Sequence, residues 1–135
     1  MTSLDYPNPV LIVAAMDGNH KHFLGGLYVL NGRQPIRYEN ALEWAEIFEK
    51  SKDRVVARSM GLGMRISTVF LGLDHNYGIS GDPLLFETMV FGGPHDQDQE
   101  RYSTWEEAET GHVKMVQSVF GLQGVLVTWN EESVS

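Results

Sequence analysis

Two segments of the chain follow one pattern, Arg-Tyr-x-cap-x-x-Glu: Arg37-Tyr38-Glu39-Asn40-Ala41-Leu42-Glu43 and Arg101-Tyr102-Ser103-Thr104-Trp105-Glu106-Glu107. Asn40 and Thr104 (or Ser103) have side chains that accept from the free N–H groups opening a helix, and a glutamate three residues on reaches back to the cap. Apolar, strand-like residues precede each copy, and helical spacing follows it. Such a chain is constrained to a β-ribbon feeding a capped helix, used twice. Capping chemistry alone produces the Asn or Thr and the Glu, so the pair reads as convergence on a good strand-to-helix junction. The Arg-Tyr dipeptide is the part that capping does not explain.

The remaining elements follow from periodicity and turn chemistry. Residues 1–9 hold two prolines and predict an extended arm, and Val10 to Met16 predicts a buried strand. Asn31-Gly32 between Leu27–Leu30 and Arg33–Tyr38 is a hairpin signal, because both residues tolerate positive φ. Pro35 puts the second arm at a sheet edge or makes it irregular. After Asn40, residues Ala41, Trp44, Ala45 and Phe48 make an apolar stripe at helical spacing, ending near Lys50–Lys52. Strands are predicted at Arg54–Ser59, Met64–Leu73 and Leu84–Phe91, separated by the Gly61-Leu62-Gly63 turn and an Asp74–Pro83 loop. Gly92–Gln99 predicts a mobile polar loop. Trp105, Ala108, His112, Met115 and Val119 share one face of the second helix, which Gly121 and Gly124 end. Gly111 lies inside that helix, where a glycine allows close packing of another backbone or a ligand. Val125–Trp129 predicts a last strand before an acidic tail, 131–135. The order β, ββ, α, βββ, α, β gives an α+β fold: a mostly antiparallel sheet with two helices packed on one face, within a single domain over residues 10–130.

Bulk properties narrow the function. A net charge of −8 argues against a nucleic-acid polymer or an anionic membrane as partner. The absence of cysteine excludes disulfides, thiolate zinc sites and a cysteine nucleophile. The apolar run Val10–Met16 is too short to cross a bilayer and lacks a basic flank, so a cytoplasmic location is expected.

Chemistry-bearing residues are few. Asp74-His75-Asn76-Tyr77-Gly78 follows the most hydrophobic strand; Asp74 could orient His75, against the simpler reading of a turn in which Asp74 and Asn76 bond the local backbone. Glu87 interrupts an apolar strand, so it faces water, pairs with a cation such as Arg65, or serves as an acid or base. His112 on an apolar helix face is more often a hydrogen-bonded core residue than a ligand. His75, Glu87 and His112 could form a two-histidine, one-carboxylate metal site, but no ligand spacing supports it, and neither metal nor cofactor is expected. His20-Lys21-His22 and His95 read as solvated or fortuitous. Arg37, Tyr38, Arg101 and Tyr102 could bind an anion near helix N-termini, against packing of the tyrosines on each helix start.

Ser67-Thr68-Val69-Phe70-Leu71-Gly72-Leu73-Asp74-His75-Asn76, Leu84-Leu85-Phe86-Glu87-Thr88-Met89-Val90-Phe91-Gly92-Gly93 and Arg101-Tyr102-Ser103-Thr104-Trp105-Glu106-Glu107-Ala108-Glu109-x-Gly111-His112 resemble a family of small bacteriophage and prophage proteins, over residues 40–116. The resemblance implies a phage-encoded accessory protein in the host cytoplasm and supplies no catalytic residues. The leading expectation is a non-enzymatic binding module that occupies a host protein or sequesters a small, nucleotide-like ligand. Its candidate contacts are His75, Asn76, Tyr77, Arg101, Tyr102, Trp105 and His112. A small hydrolase using Glu87 with His75 or His112 as acid and base is the alternative, and a structural or assembly protein of the phage is another. Homo-oligomerisation through a sheet edge is compatible with all three.

Overall fold

A computed structural model describes residues 26–51, 54–76, 81–121 and 126–130. The expected arm and strand over residues 1–16, His20-Lys21-His22, Tyr77 and the acidic tail lie outside the described residues. The elements run β1 (Leu27–Asn31), β2 (Gln34–Tyr38), α1 (Ala41–Lys50), β3 (Val55–Gly61), β4 (Met64–Phe70), β5 (Phe86–Phe91), β6 (Gln99–Tyr102), α2 (Trp105–Phe120) and β7 (Leu126–Trp129). β1 and β2 form a separate hairpin, and the other strands form a five-stranded sheet in the order β6-β5-β4-β3-β7, each neighbour antiparallel. The α+β layout expected from the sequence is the one observed. Among the described residues no helix is long and apolar enough to cross a membrane.

Both helices begin as the cap pattern requires. The Asn40 side chain accepts from the Glu43 amide at 3.0 Å. Thr104 accepts from the Glu107 amide at 3.1 Å, and the Glu107 carboxylate accepts from the Thr104 amide at 3.0 Å, closing a capping box. Each helix also follows a two-stranded ribbon, β1–β2 before α1 and β5–β6 before α2.

A row of aromatic rings shows that the helices share one sheet face. Trp44 stacks on Phe48 with centroids 5.1 Å apart; Phe48 meets Phe70 at 6.0 Å, Phe70 meets Phe86 at 5.3 Å, and Phe86 meets Trp105 edge-on at 6.0 Å. The row runs from α1 through β4 and β5 to α2 and forms the main core with Leu27, Val56 and Leu85. A second apolar cluster of Ile66, Val90 and Phe120 lies further along the same face. The register explains the gap between them. Phe70 pairs with Phe86, Thr68 with Thr88 and Ile66 with Val90, so a polar rung separates two apolar ones. Arg33 in the hairpin turn places its guanidinium 5.5 Å from the Trp105 ring centre and 3.8 Å from the Glu109 carboxylate, tying the hairpin to α2.

Two stretches differ from expectation. The strand expected to reach Leu73 ends at Phe70, because Gly72 turns the chain at φ 72° and leaves room for the Phe48 ring, which a Cβ there would overlap. Leu73 forms only an isolated bridge to Leu27. The expected mobile loop Gly92–Gln99 is instead a tight turn leading into a strand. Gly92 donates its N–H to the Asp96 carboxylate at 2.7 Å, and the Gln97 amide reaches the Val90 carbonyl at 2.7 Å. The strand it feeds, β6, is polar because it pairs on one side only and is exposed over Gln99 and Glu100. It therefore carries no apolar alternation to betray it.

Candidate functional site

Alternation along β6 sends Arg101 and Tyr102 to opposite faces of the sheet. Arg101 takes the face away from the helices, where its Nε donates to the Glu87 carboxylate at 2.9 Å. Glu87 is buried there, with a side chain 5% exposed against 33% for Arg101. The cation beside Glu87 is therefore Arg101, from β6, whereas Arg65 lies over the Phe91 ring at 4.4 Å.

Tyr102 turns toward α2. Its ring lies against Gly111, where a Cβ would overlap it, so the glycine inside the helix makes room for an aromatic side chain. Its hydroxyl donates to Thr88 Oγ1 at 3.2 Å. Burial, opposed by that hydrogen bond and assisted by the Glu100 carboxylate, pushes the phenol above its ordinary range, so it stays protonated as a donor. Gly111→Ala should cost about 2 kcal/mol despite alanine's helix preference, since the ring cannot retreat from the core without losing its bond. Thermal unfolding checks this, and the loss should vanish in a Tyr102→Ala background.

From Thr88 a polar row continues inward. Thr88 Oγ1 meets Thr68 Oγ1 at 2.5 Å, Thr68 meets His112 Nδ1 at 2.6 Å, and His112 Nε2 meets Ser59 Oγ at 2.7 Å. The imidazole is fully buried, and Trp129 sets its ring edge-on at 5.8 Å. Burial pulls the His112 pKa from 6.5 down to about 4, which leaves a neutral ring near pH 7. A neutral ring offers one donor and one acceptor, and both neighbouring hydroxyls can play either part, so both nitrogens are satisfied.

The loop after β4 is organised separately. Asp74 Oδ1 accepts from the Asn76 amide at 2.8 Å and from the Leu84 amide at 3.0 Å, clasping the two ends of the loop. His75 Nδ1 donates to the Leu73 carbonyl at 2.9 Å. These bonds are turn chemistry.

The sequence-derived candidates are thus dispersed. His75 and Asn76 lie in the β4–β5 loop, Arg101 and Glu87 face away from the helices, and Trp105 and His112 are sealed in the core. Glu87 and His112 lie on opposite faces and share no acid–base pair; the same separation leaves the His75, Glu87 and His112 triad unassembled. Among the described residues, no cluster of three or more His, Asp or Glu side chains is arranged to hold a metal ion. No family model, curated protein or solved structure matches the chain.

Among the described candidates, Tyr102 borders a groove of about 720 Å3 between β6 and α2, floored by Gly111 and Met115 and flanked by Glu100, Thr110 and Lys114. Glu106 and Glu107 extend its acidic side at the helix start. Apart from Tyr102 and Gly111, these residues were not legible as a site, because β6 was not recognised as a strand and the groove exists only once β6 and α2 are adjacent. Ser59, Thr68 and Thr88 were missed as partners of His112 for a related reason: only strand register aligns them. A faint signal was present, since Thr68 and Thr88 each interrupt an apolar strand at its middle.

Proposed function

We propose that the protein is a non-enzymatic binding module, a phage-type accessory protein whose docking surface is the groove between β6 and α2 and whose partner is a host protein. The observation that carries this is the groove itself. It lies beside an edge strand, and its floor combines a half-buried tyrosine and methionine. Aromatic and methionine side chains are enriched where proteins dock. A nucleotide-like ligand fits less well. Glu100, Glu106 and Glu107 against the one Lys114 make the groove net acidic, which disfavours phosphate. Of the contacts considered for such a ligand, Tyr102 lines the groove, whereas Arg101, His75 and Trp105 do not.

Thr110 is exposed on α2 and borders the groove, so Thr110→Trp fills the groove without touching the core. The test immobilises the native protein and this variant against host lysate, with calorimetry against a nucleotide panel alongside. A partner held by the native chain and lost from the variant is the expected result. Equal retention by both would place the surface elsewhere, and a nucleotide binding in the calorimeter would overturn the choice of a protein partner.

A further inference from the structure

We propose that the occupant of the groove is an extended, lysine- or arginine-rich protein segment that joins the sheet as an added strand beside β6. This rests on the groove being the docking surface, and it names the chemistry and conformation of what docks.

The first support is the edge. β6 ends the five-stranded sheet, and no described strand lies on its outer side. The Tyr102 carbonyl accepts from the Leu85 amide at 2.9 Å, and the Asp98 carbonyl from the Val90 amide at 3.0 Å, so residues 98 and 102 turn their backbone groups toward β5. Backbone direction alternates along a strand, so Gln99 and Arg101 present their N–H and C=O groups outward. Natural edges are blunted by short length, charge, proline or a bulge; β6, Gln99-Glu100-Arg101-Tyr102, is short and charged but has no proline to remove an outward N–H, and its Glu100 charge favours a basic strand over other partners.

The second support is what lies alongside. The added strand's side chains would alternate, one set reaching the groove over Tyr102, Gly111 and Met115 and the other pointing away. Main-chain bonds to an edge with side-chain pockets next to it are the working parts of strand-addition recognition. The third support is charge. The exposed carboxylates of Glu100 and Glu106 stand beside the groove, on a chain whose net charge is −8. Basic side chains complement them. A second copy of this chain fits worse, because a two-fold β6–β6 pairing would bring each Glu100 toward its twin, and like charges facing across strands destabilise pairing.

The test uses the whole protein and a synthetic peptide of alternating valine and lysine, with a valine–glutamate peptide as its counterpart. Calorimetry should detect the lysine peptide binding at least about tenfold more tightly than the glutamate peptide, with an affinity that falls as salt is raised. Amide exchange at Gln99 and Arg101 should slow on binding. Gln99→Pro removes one outward N–H while leaving the bonds to β5 in place; it should weaken binding by about tenfold or more with little change in Tm. If Thr110→Trp blocks the peptide while Gln99→Pro does not, the groove stands as the docking surface and strand addition fails. If neither variant affects binding, or the lysine peptide does not bind, this proposal fails; the lysate comparison then judges the groove on its own. A dimer of the free protein that Gln99→Pro dissolves would overturn the basic segment in favour of a second copy.

Discussion

Replacing His112 with leucine is expected to lower the unfolding free energy by about 4 kcal/mol, a large share of the roughly 5–15 kcal/mol typical of a domain. Leucine fills much of the space, so the loss does not come mainly from a cavity. It comes from hydroxyls. Ser59 and Thr68 are fully buried, and each loses the ring nitrogen it bonds to. A buried polar group left without a partner costs about 1–3 kcal/mol. Thr88 and Tyr102 bond into the same row, so the disturbance spreads toward the groove. Urea unfolding should show a lower midpoint with an unchanged slope. Thr68 keeps Thr88 as a partner, so adding Ser59→Ala to the leucine variant removes the orphaned hydroxyl and should recover about 1 kcal/mol or more of the loss. A single-variant loss below about 1 kcal/mol would mean that the row contributes little.

The same ring predicts a pH dependence with a definite sign. The folded pKa, about 4, lies below the ordinary 6.5, with burial as the cause. The groups it touches on β3, β4 and β7 are Ser59, Thr68 and Trp129, all uncharged. Above pH 6.5 the ring is neutral folded and unfolded, and its contribution is complete. As the pH falls from 6.5 toward 4 the unfolded chain takes up a proton that the folded chain refuses, so stability drops by up to about 1.4 kcal/mol per pH unit and then levels off. Carboxylates titrate in the same window, so the informative quantity is the native protein minus His112→Leu across a pH series. That difference should shrink by about 3 kcal/mol from pH 7 to pH 4; a flat difference would show that the imidazole is solvated.

Much of the scaffold was legible because local rules and global packing agree. Asn40 and Thr104 cap the helices at the positions their chemistry dictates, and Trp44, Phe48, Trp105 and His112 face inward as helical spacing requires. The twofold ribbon-to-helix layout is also present, yet its Arg-Tyr pairs do unlike things. Tyr38 bonds the Glu43 carboxylate at 3.0 Å on the surface and Arg37 lies 3.7 Å from Glu39, whereas Tyr102 and Arg101 hold buried partners on two faces. No one-dimensional pattern distinguishes the two copies; the difference appears only when a neighbouring strand supplies Thr88 and Glu87. β6 escaped notice because a polar edge strand has no buried face to write into its sequence, and the groove escaped with it. His75 drew attention through its neighbours in sequence, while its Nδ1 bond to the Leu73 carbonyl is local turn structure.

Arg101→Met should be the second most damaging of these substitutions, at about 3 kcal/mol, and its asymmetry with Glu87→Gln explains the ion pair. Burying a carboxylate is tolerable only beside a partner, because its hydration is gone. Glu87 is enclosed, so removing Arg101 strands a charge that cannot reach water. Removing the carboxylate instead leaves a guanidinium that is already a third exposed and can swing into solvent, so Glu87→Gln should cost only about 1 kcal/mol. A double variant, Glu87→Leu with Arg101→Leu, removes both charges and pairs two branched apolar side chains across β5 and β6; it should be more stable than Arg101→Met alone. Denaturant unfolding of the native protein and the three variants measures these differences. Equal costs for the two single substitutions would mean that Glu87 has its own route to water. The expected inequality instead assigns Arg101 to holding the β5–β6 ribbon together, the ribbon whose outer edge faces the groove and whose end starts α2.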